Sequence, residues 1–426
     1  MRREVKKMSQ LQRNTTAKKS KGQTQGDVLV EKIPLKLKPT EETLARDIQR
    51  ESARVWNTVM TIHRLFWFKY GVWIDEAMMK EFLKGRFNVH SQDVQAIIET
   101  YYECWERTRK LHEEGHPEWR YPWRLKRFFT STWKVTGITV EDKNLRLSNG
   151  WKKPPLKVKL PARLKGMAIK QVQLVWRRNG YWLHVAVVKP ALEKVQGDAV
   201  AAVDPGEVHA LTLTDGQEAL VINGRHLRSL RRLRNKTLRK FQKAISRTKK
   251  GSNRRRKLLA AKYRFLNWIG AQISHAEHAV TKMAADWCLE RGIKKVYLGD
   301  PQGVREQDCG RHHNQRMSQW SFGRLRELLE YKLKRHGITL EKIEERGTSG
   351  TCPLCGKYTK QTGRVYQCGN MECGFSGMHR DVLGATGILD LAVNGRFTPG
   401  RKLPEIVSYA WPAVLAPVQV SKMKAA

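Results

Sequence analysis

The sequence predicts a multidomain protein that mixes β and α/β architecture, and three observations carry that prediction. Short stretches of alternating apolar and charged residues flank a helical block in the front half. Behind Asp198, apolar strand patterns alternate with long helical patterns, the arrangement of a layered α/β domain. Within that second part, four of the seven cysteines crowd between Cys352 and Cys373, as in a small metal-held insert. With 426 residues the chain has room for two or three domains, each with its own core.

Residues 1–26 read as a disordered basic lead. Val28, Val30, Ile33, Leu35 and Leu37 alternate with charged residues as a strand that Pro39 ends, and Thr40-Glu41-Glu42 opens a helix. Two or three helices follow to about Glu114, rich in bulky residues such as Trp56, Leu65, Trp67, Tyr101, Tyr102 and Trp105. Residues 128–190 return to β structure, with turns at Ser148-Asn149-Gly150 and Arg178-Asn179-Gly180, the second closing a hairpin over 170–189. The front half thus divides into a β domain over 27–38 and 120–197 and a helical insert over 39–119.

The back half opens with the apolar run Ala199-Val200-Ala201-Ala202-Val203, ending in Asp204-Pro205-Gly206, and a second strand returns to Thr214. Helices are expected over about 224–249 and 253–291, then a strand over 293–298. A loop rich in Gly, His and Gln follows, then a helix over about 320–336, a strand over 338–343, the cysteine cluster and a last helix from about 380 to 392. Hairpin, helices, strand, helix, strand and terminal helix is the layout of an RNase H-like α/β layer. It would span 198–346 and 375–395, interrupted by a ribbon over 347–374 and followed by a tail, 396–426.

Charge narrows the partners. Lys and Arg number 81 against 40 acids, a formal excess of 41 positive charges. Such an excess repels itself in the folded state unless a polyanion neutralises it. No apolar run approaches the ~18 residues of a spanning helix, and residues 1–25 lack an apolar leader core. Nucleic acid is therefore the expected partner, with no membrane, in a cytoplasmic, nucleoid-associated protein.

The cysteines give the most specific chemistry. Cys352-Pro-Leu-Cys355 and Cys368-Gly-Asn-Met-Glu-Cys373 are two thiolate pairs 12 residues apart, each with a turn glycine, Gly356 or Gly374. Two facing knuckles supply the four soft ligands of a tetrahedral Zn²⁺, and four thiolates leave no open coordination position, so the zinc would be structural. Cys104, Cys288 and Cys309 follow no such spacing.

Two carboxylates stand at element ends. Asp204 closes the first buried strand and Asp381 opens the last helix; acids from separate elements that converge can hold two metal ions ~4 Å apart for phosphodiester hydrolysis. A third acid would be Asp300, at the end of the 293–298 strand, or one of the Glu344-Glu345 pair. Strand parity does not choose between Glu344 and Glu345.

Over 225–264, 18 of 40 residues are Lys or Arg, and no acid occurs from Leu220 to Ala276. A solvated helix usually carries acidic partners at i,i+4; their absence points to phosphate contacts. The candidates are Arg225, Arg228, Arg231, Arg232, Lys236, Arg239, Lys240, Arg254, Arg255, Arg256 and Lys257, with Arg380 beside Asp381. In the front half Trp119, Tyr121, Trp123, Trp133, Trp151 and Trp176 sit among basic residues, either as core or as platforms for unpaired bases.

Together these motifs resemble the TnpB proteins of insertion sequences and their descendants, the type V CRISPR effectors. The resemblance runs in order over about 200–392. It comprises Asp204-Pro205-Gly206, Tyr331-Lys332 before Gly337-Ile338, Thr348-Ser349 ahead of Cys352, the second cysteine pair, and His379-Arg380-Asp381-x-x-Gly384-Ala385. It extends loosely forward through Ser91-Gln92-Asp93-Val94-Gln95.

The resemblance implies a RuvC nuclease domain with a zinc ribbon, behind a β wedge domain and a helical recognition insert. It further implies a guide RNA, and double-stranded DNA opened beside a short flanking motif. Asp204, Glu345 and Asp381 would then be the catalytic, Mg²⁺-binding residues. One departure matters: the family's second RuvC motif usually ends its strand in Glu-Asp, and this chain has Gly299-Asp300. Some members carry the acid on the strand leading into the ribbon, where Glu345 stands; Asp300 is the alternative third acid. Other relatives have lost cutting, so a guided DNA-binding repressor is a second reading. An unguided, transposase-like zinc-ribbon DNA-binding protein is a third.

Overall fold

The computed structural model describes residues 26–177, 180–301, 310–361, 363–412 and 420–424; the basic lead expected over 1–26 falls outside them but for Gly26, as do the tip of the 170–189 hairpin and Cys309. The chain divides into two compact units, at 191/192.

In the first unit, β1 (Asp27–Pro34) precedes α1 (Pro39–Tyr70). Pro39 occupies the first turn, where a missing N–H costs nothing, and the Lys38 N–H donates to Glu41 Oε2 at 2.8 Å. Gly71, at φ 64°, ends the helix in the left-handed region that a side chain would resist. Two further helices, α2 (Glu76–Phe82) and α3 (Ser91–Glu113), complete the insert. Its core joins Val55, Trp56, Val59 and Met60 of α1 to Ile97, Ile98 and Tyr101 of α3. Each such side chain contributes ~1.5–3 kcal/mol on burial.

The strands that follow are β2 (Ser131–Lys134), β3 (Ile138–Glu141), β4 (Asn144–Leu147), β5 (Leu156–Lys159), β6 (Ile169–Arg177) and β7 (Gly180–Lys189). They form an antiparallel four-stranded sheet, ordered β1-β7-β6-β2, and a three-stranded sheet, β3-β4-β5. Alternation decides which face is buried: Tyr181, Leu183, Val185 and Val187 of β7 point into a core with Trp133, Val172 and Leu174.

One buried polar knot ties this unit together. Asp93 of α3 accepts from Ser52 Oγ of α1 at 2.6 Å and from the Thr132 N–H of β2 at 2.7 Å; Ser131 Oγ lies 2.7 Å from Ser52 Oγ.

The second unit is built on one seven-stranded sheet. β8 (Ala199–Asp204), β9 (His209–Thr214) and β10 (Glu218–Asn223) meander antiparallel. Helices α4 (Arg225–Ser246) and α5 (Asn253–Glu290) cross over to β11 (Ile293–Asp300), which lies parallel to β8. Helices α6 (Arg311–Gln319) and α7 (Phe322–Arg335) lead to β12 (Thr339–Glu344), parallel to β11. The ribbon hairpin β13 (Val365–Gln367) and β14 (Ser376–His379) runs directly into α8 (Arg380–Asn394). This is the RNase H-like order, β12-β11-β8-β9-β10.

Within the stretch assigned as a tail, 396–426, two strands instead extend this sheet. Its β15 (Ile406–Ala410) lies parallel to β10, and β16 (Val420–Lys424) pairs antiparallel with β15. The physical reason is the edge of β10, whose backbone donors and acceptors β15 satisfies.

Strand parity assigns the two faces. Ala201, Val203, Leu211, Leu213, Val296 and Leu298 pack with Ile269 and Val280 of α5 and Leu329 and Leu333 of α7. The opposite face receives α8, whose Val382 meets Ala219, Val221 and Val407. Asp204 follows Val203 and so belongs to the α8 face; Gly299, following Leu298, shares it, and Asp300 does not.

Burial pushes the Asp93 carboxyl up to about 7, from an ordinary 3.8. The folded state then holds a proton that the unfolded chain has lost between about pH 4 and about pH 7, so stability falls as pH rises through that window. Asp93→Asn, which cannot ionise, is expected to flatten that fall in thermal unfolding followed by tryptophan fluorescence. An unchanged pH slope in the variant would remove Asp93 as its source.

Candidate active site

Asp204, at the end of β8, and Asp381, in the first turn of α8, meet at one end of the sheet because β8 and β9 both lie against that helix. They line one cleft with Pro205, Gly206, His209, Thr212, Ser349 and Arg380. The helix start is fixed by His379, whose Nδ1 accepts from the Asp381 N–H at 3.2 Å. His209, only 6% exposed at the start of β9, bonds through Nδ1 to Asp381 Oδ2 at 2.7 Å.

Glu345 completes the group from the residue that follows β12. A Cβ at Gly299 would come 2.5 Å from Glu345 Oε2 and 2.7 Å from Ile388 Cδ1. The Glu345 carboxylate therefore occupies the space that a side chain at 299 would fill. Its Oε2 is buried with no hydrogen-bond partner among the described residues, as is Thr212 Oγ1 beside Asp204. Glu344, by contrast, is exposed and sits opposite Asp300 in the sheet. Asp300 accepts from Lys342 Nζ at 2.8 Å, which turns its carboxylate along the far face toward the α7 side.

Electrostatics tie Asp204 to the other two acids. Burial, then the charges of Glu345 and Asp381, push the Asp204 carboxyl well above its ordinary range. Burial, with Asp300 nearby, lifts Glu345 to about 7. Burial would also raise Asp381, but the His209 hydrogen bond and the neighbouring His379, His209 and Arg380 hold it below its ordinary value. A carboxyl pushed up by burial and by two neighbouring carboxylates, beside a glutamate oxygen left unpartnered, fits a multivalent cation, which favours carboxylate oxygens and supplies the missing counter-charge.

Close packing enforces the geometry. A Cβ at Gly384 would lie 2.5 Å from Asp204 Oδ2, and one at Gly387 would lie 2.8 Å from the Thr348 carbonyl oxygen. Two glycines thus let α8 approach Asp204 and the turn after Glu345.

The four cysteines also converge. Cys352 Sγ and Cys373 Sγ stand 3.6 Å apart, Cys355 Sγ and Cys368 Sγ 3.7 Å, and all four sulfurs lie within 4.8 Å of one another. A Zn–S bond of ~2.3 Å in a tetrahedron puts sulfurs ~3.8 Å apart, so the quartet fits. Gly356 and Gly374, at φ 73° and 61°, take the left-handed turns that close each knuckle.

The basic residues separate into two kinds. Arg232, Lys236, Arg239, Lys240, Arg254, Arg256 and Lys257 are exposed on α4 and α5. Arg231 is instead committed inside the unit, with Nη2 2.8 Å from Glu277 Oε1 and 2.6 Å from Ser321 Oγ. Arg255 Nη1 donates to the Ile245 and Thr248 carbonyls, closing the end of α4. Arg228 faces Glu207 at 3.4 Å, Arg225 lies at a second cleft beside His209, and Arg380 lines the acid cleft.

Of the front-half aromatics, Trp133 is fully buried, while Trp119, Trp123, Trp151 and Trp176 are exposed and Tyr121 stacks on Trp123. Sequence reasoning missed His209. Its signal was a histidine five residues beyond Asp204, on the strand that a tight turn must bring back beside it.

Comparison with known proteins agrees with this architecture. Residues 183–305 match the family model described as "Probable transposase" (OrfB_IS605), and residues 322–388 match "Cas12f1-like, TNB domain". A TnpB-like protein of Methanocaldococcus jannaschii is 27% identical over 138 residues, 32% of this chain and 48% of that protein. The chain thus spans about half the length of that curated relative. A Cas12f1–sgRNA–target DNA complex contains a chain of similar fold, with a TM-score of 0.58 at 12% identity over 83% of each chain. The mini-RNA-guided endonuclease Cas_phi3 gives 0.51 at 12% identity, over 88% of this chain and 94% of that one. At such identities the likeness is one of fold.

Glycine packing gives a test with opposite signs. Gly387→Ala forces a methyl against a backbone carbonyl and is expected to destabilise the protein by ~1–3 kcal/mol. Gly270→Ala, in α5 with nothing within 4 Å of its added Cβ, is expected to stabilise by ~0.5–1 kcal/mol. Denaturant unfolding checks both, and equal effects would refute the close approach of α8.

Proposed function

We propose, from the chain's resemblance to the TnpB proteins and miniature type V CRISPR effectors, that it is an RNA-guided DNA endonuclease. Those similarities point to a RuvC-like nuclease. The observation that carries the finer reading is the Glu345 carboxylate in the space beside Gly299, which supplies a third acid on the face where β11 offers only glycine.

Asp204, Glu345 and Asp381 would hold two Mg²⁺ ions, which when bound supply Lewis acidity and an activated water for phosphodiester hydrolysis. The protein's own part is positioning. His209 fixes one oxygen of Asp381, and Arg380 Nε lies 3.8 Å from the other. Arg380, on the wall of the same cleft, offers positive charge to the strand's phosphates. The exposed faces of α4 and α5 would carry the backbone of guide RNA or target DNA, with sequence read by base pairing. Cys352, Cys355, Cys368 and Cys373 would bind one structural Zn²⁺.

The experiment is cleavage of guide-matched DNA with Mg²⁺ by protein purified with its own RNA. Asp204→Ala, Glu345→Ala and Asp381→Ala are each expected to abolish cleavage while guided DNA binding survives; Asp300→Ala retains most of it. Loss of cutting in Asp300→Ala but not Glu345→Ala would overturn the assignment of the third acid. Wild-type protein that binds its target and never cuts is a repressor, and protein that carries no RNA is an unguided DNA binder.

For the ribbon, metal analysis is expected to give about one zinc per chain. Cys352→Ser should release it and expose the ribbon to proteolysis, because metal binding there is folding free energy. Full protease resistance in a zinc-free variant would refute the site.

A further inference from the structure

We propose that a second cleft, adjoining the three acids, is a subsite for one unpaired nucleotide of the strand being cut; this rests on the nuclease reading above. The cleft has a volume of about 360 Å³, near the lower end of the ~300–1,000 Å³ typical of small-ligand sites, and suits a single nucleotide unit. His209 lines both this cleft and the acid cleft, so the two are continuous across the residue that holds Asp381.

Its walls match the two halves of a nucleotide. Trp411, just after β15, is 51% exposed, with Tyr409 two residues before it on that strand. Half-exposed indole contributes little to a core, and an aromatic face in a concave site is a stacking platform for a base. Arg225, the first residue of α4, and Arg364, just before β13, bring two exposed guanidinium groups to the same space. Arg364 Nη1 lies 3.9 Å from Asp381 Oδ2, so a phosphate held there would sit next to the metal-binding acids.

Strand pairing supports the base of the platform. Tyr409 and Ala410 pair with Val221 and Ile222, which sets Trp411 level with Asn223, itself bonded through Oδ1 to the Arg225 N–H at 2.8 Å. A base stacked on Trp411 would fix the register of the strand, and hence which phosphodiester reaches Asp204, Glu345 and Asp381.

The test uses the full-length protein with its bound RNA, in the Asp204→Ala background, and short single-stranded DNA carrying 2-aminopurine at successive positions. Emission should be quenched at one or two positions; Trp411→Ala should abolish that quenching and Trp411→Phe retain it. In the cleavage-competent chain, Trp411→Ala and Arg364→Ala should each raise KM for the single strand about tenfold, with kcat within about twofold. Quenching and KM unchanged in both variants would overturn the subsite while leaving the nuclease reading intact. If Trp411→Ala is misfolded by circular dichroism, Arg364→Ala and Trp411→Phe decide. If the wild type never cuts but Trp411-dependent quenching persists, the nuclease reading falls and the nucleotide subsite stands.

Discussion

Asp204 and Glu345 stand near one another, half-buried, at one end of a sheet, with Asp381 joining them from the helix laid across it, and the repulsion that Glu345 and Asp381 exert on Asp204 is the constraint that shapes the second unit. Bringing like charges out of water costs several kcal/mol unless protons or cations offset it. The second unit accepts that cost here and arranges its neighbours around it. Gly384 and Gly387 admit α8, His379 fixes its first turn, and His209 steadies the one acid that stays charged most readily. The apolar side chains of β8 and β11 that alternate with these positions anchor the same strands in the core beneath α5 and α7.

A cation bound at those oxygens would compete with protons for them, and its binding would be linked to stability. A cation that binds the folded state alone adds stability in proportion to the logarithm of its concentration. The ribbon follows the same logic with a different ligand type. Its four sulfurs converge in a segment whose core is small, with Tyr366 and Leu383 packed beside them. It lies in sequence between Glu345 and Asp381, so order in the ribbon bears on two of the three acids.

Much of this was legible in the residues because local rules were strong. The capping of α1 followed from Pro39 and Glu41, the β6–β7 hairpin from its turn, and the RNase H-like order from alternating strand and helix patterns. The cysteine spacing pointed to a quartet that does converge. What escaped was set by tertiary context. The short β15, among prolines and loops, becomes a strand because β10 offers it an edge. Arg231 and Arg255 read as phosphate ligands by charge alone, yet one meets a buried Glu277 distant in sequence and the other closes a helix end. His209 became visible only once β9 was folded back against α8.

Gly299 and Glu345 bear on how such a site changes over time. Each position makes sense only given the other: the glycine leaves the void and the glutamate fills it. Restoring an acid at 299 while Glu345 remains would crowd two carboxylates into space for one, and removing Glu345 alone would leave a hole. The acid can therefore migrate between neighbouring strands only by paired substitutions, each half of which is a loss by itself. A chain with one of these pairings is held there by epistasis, since each single substitution out of it either crowds the space or empties it.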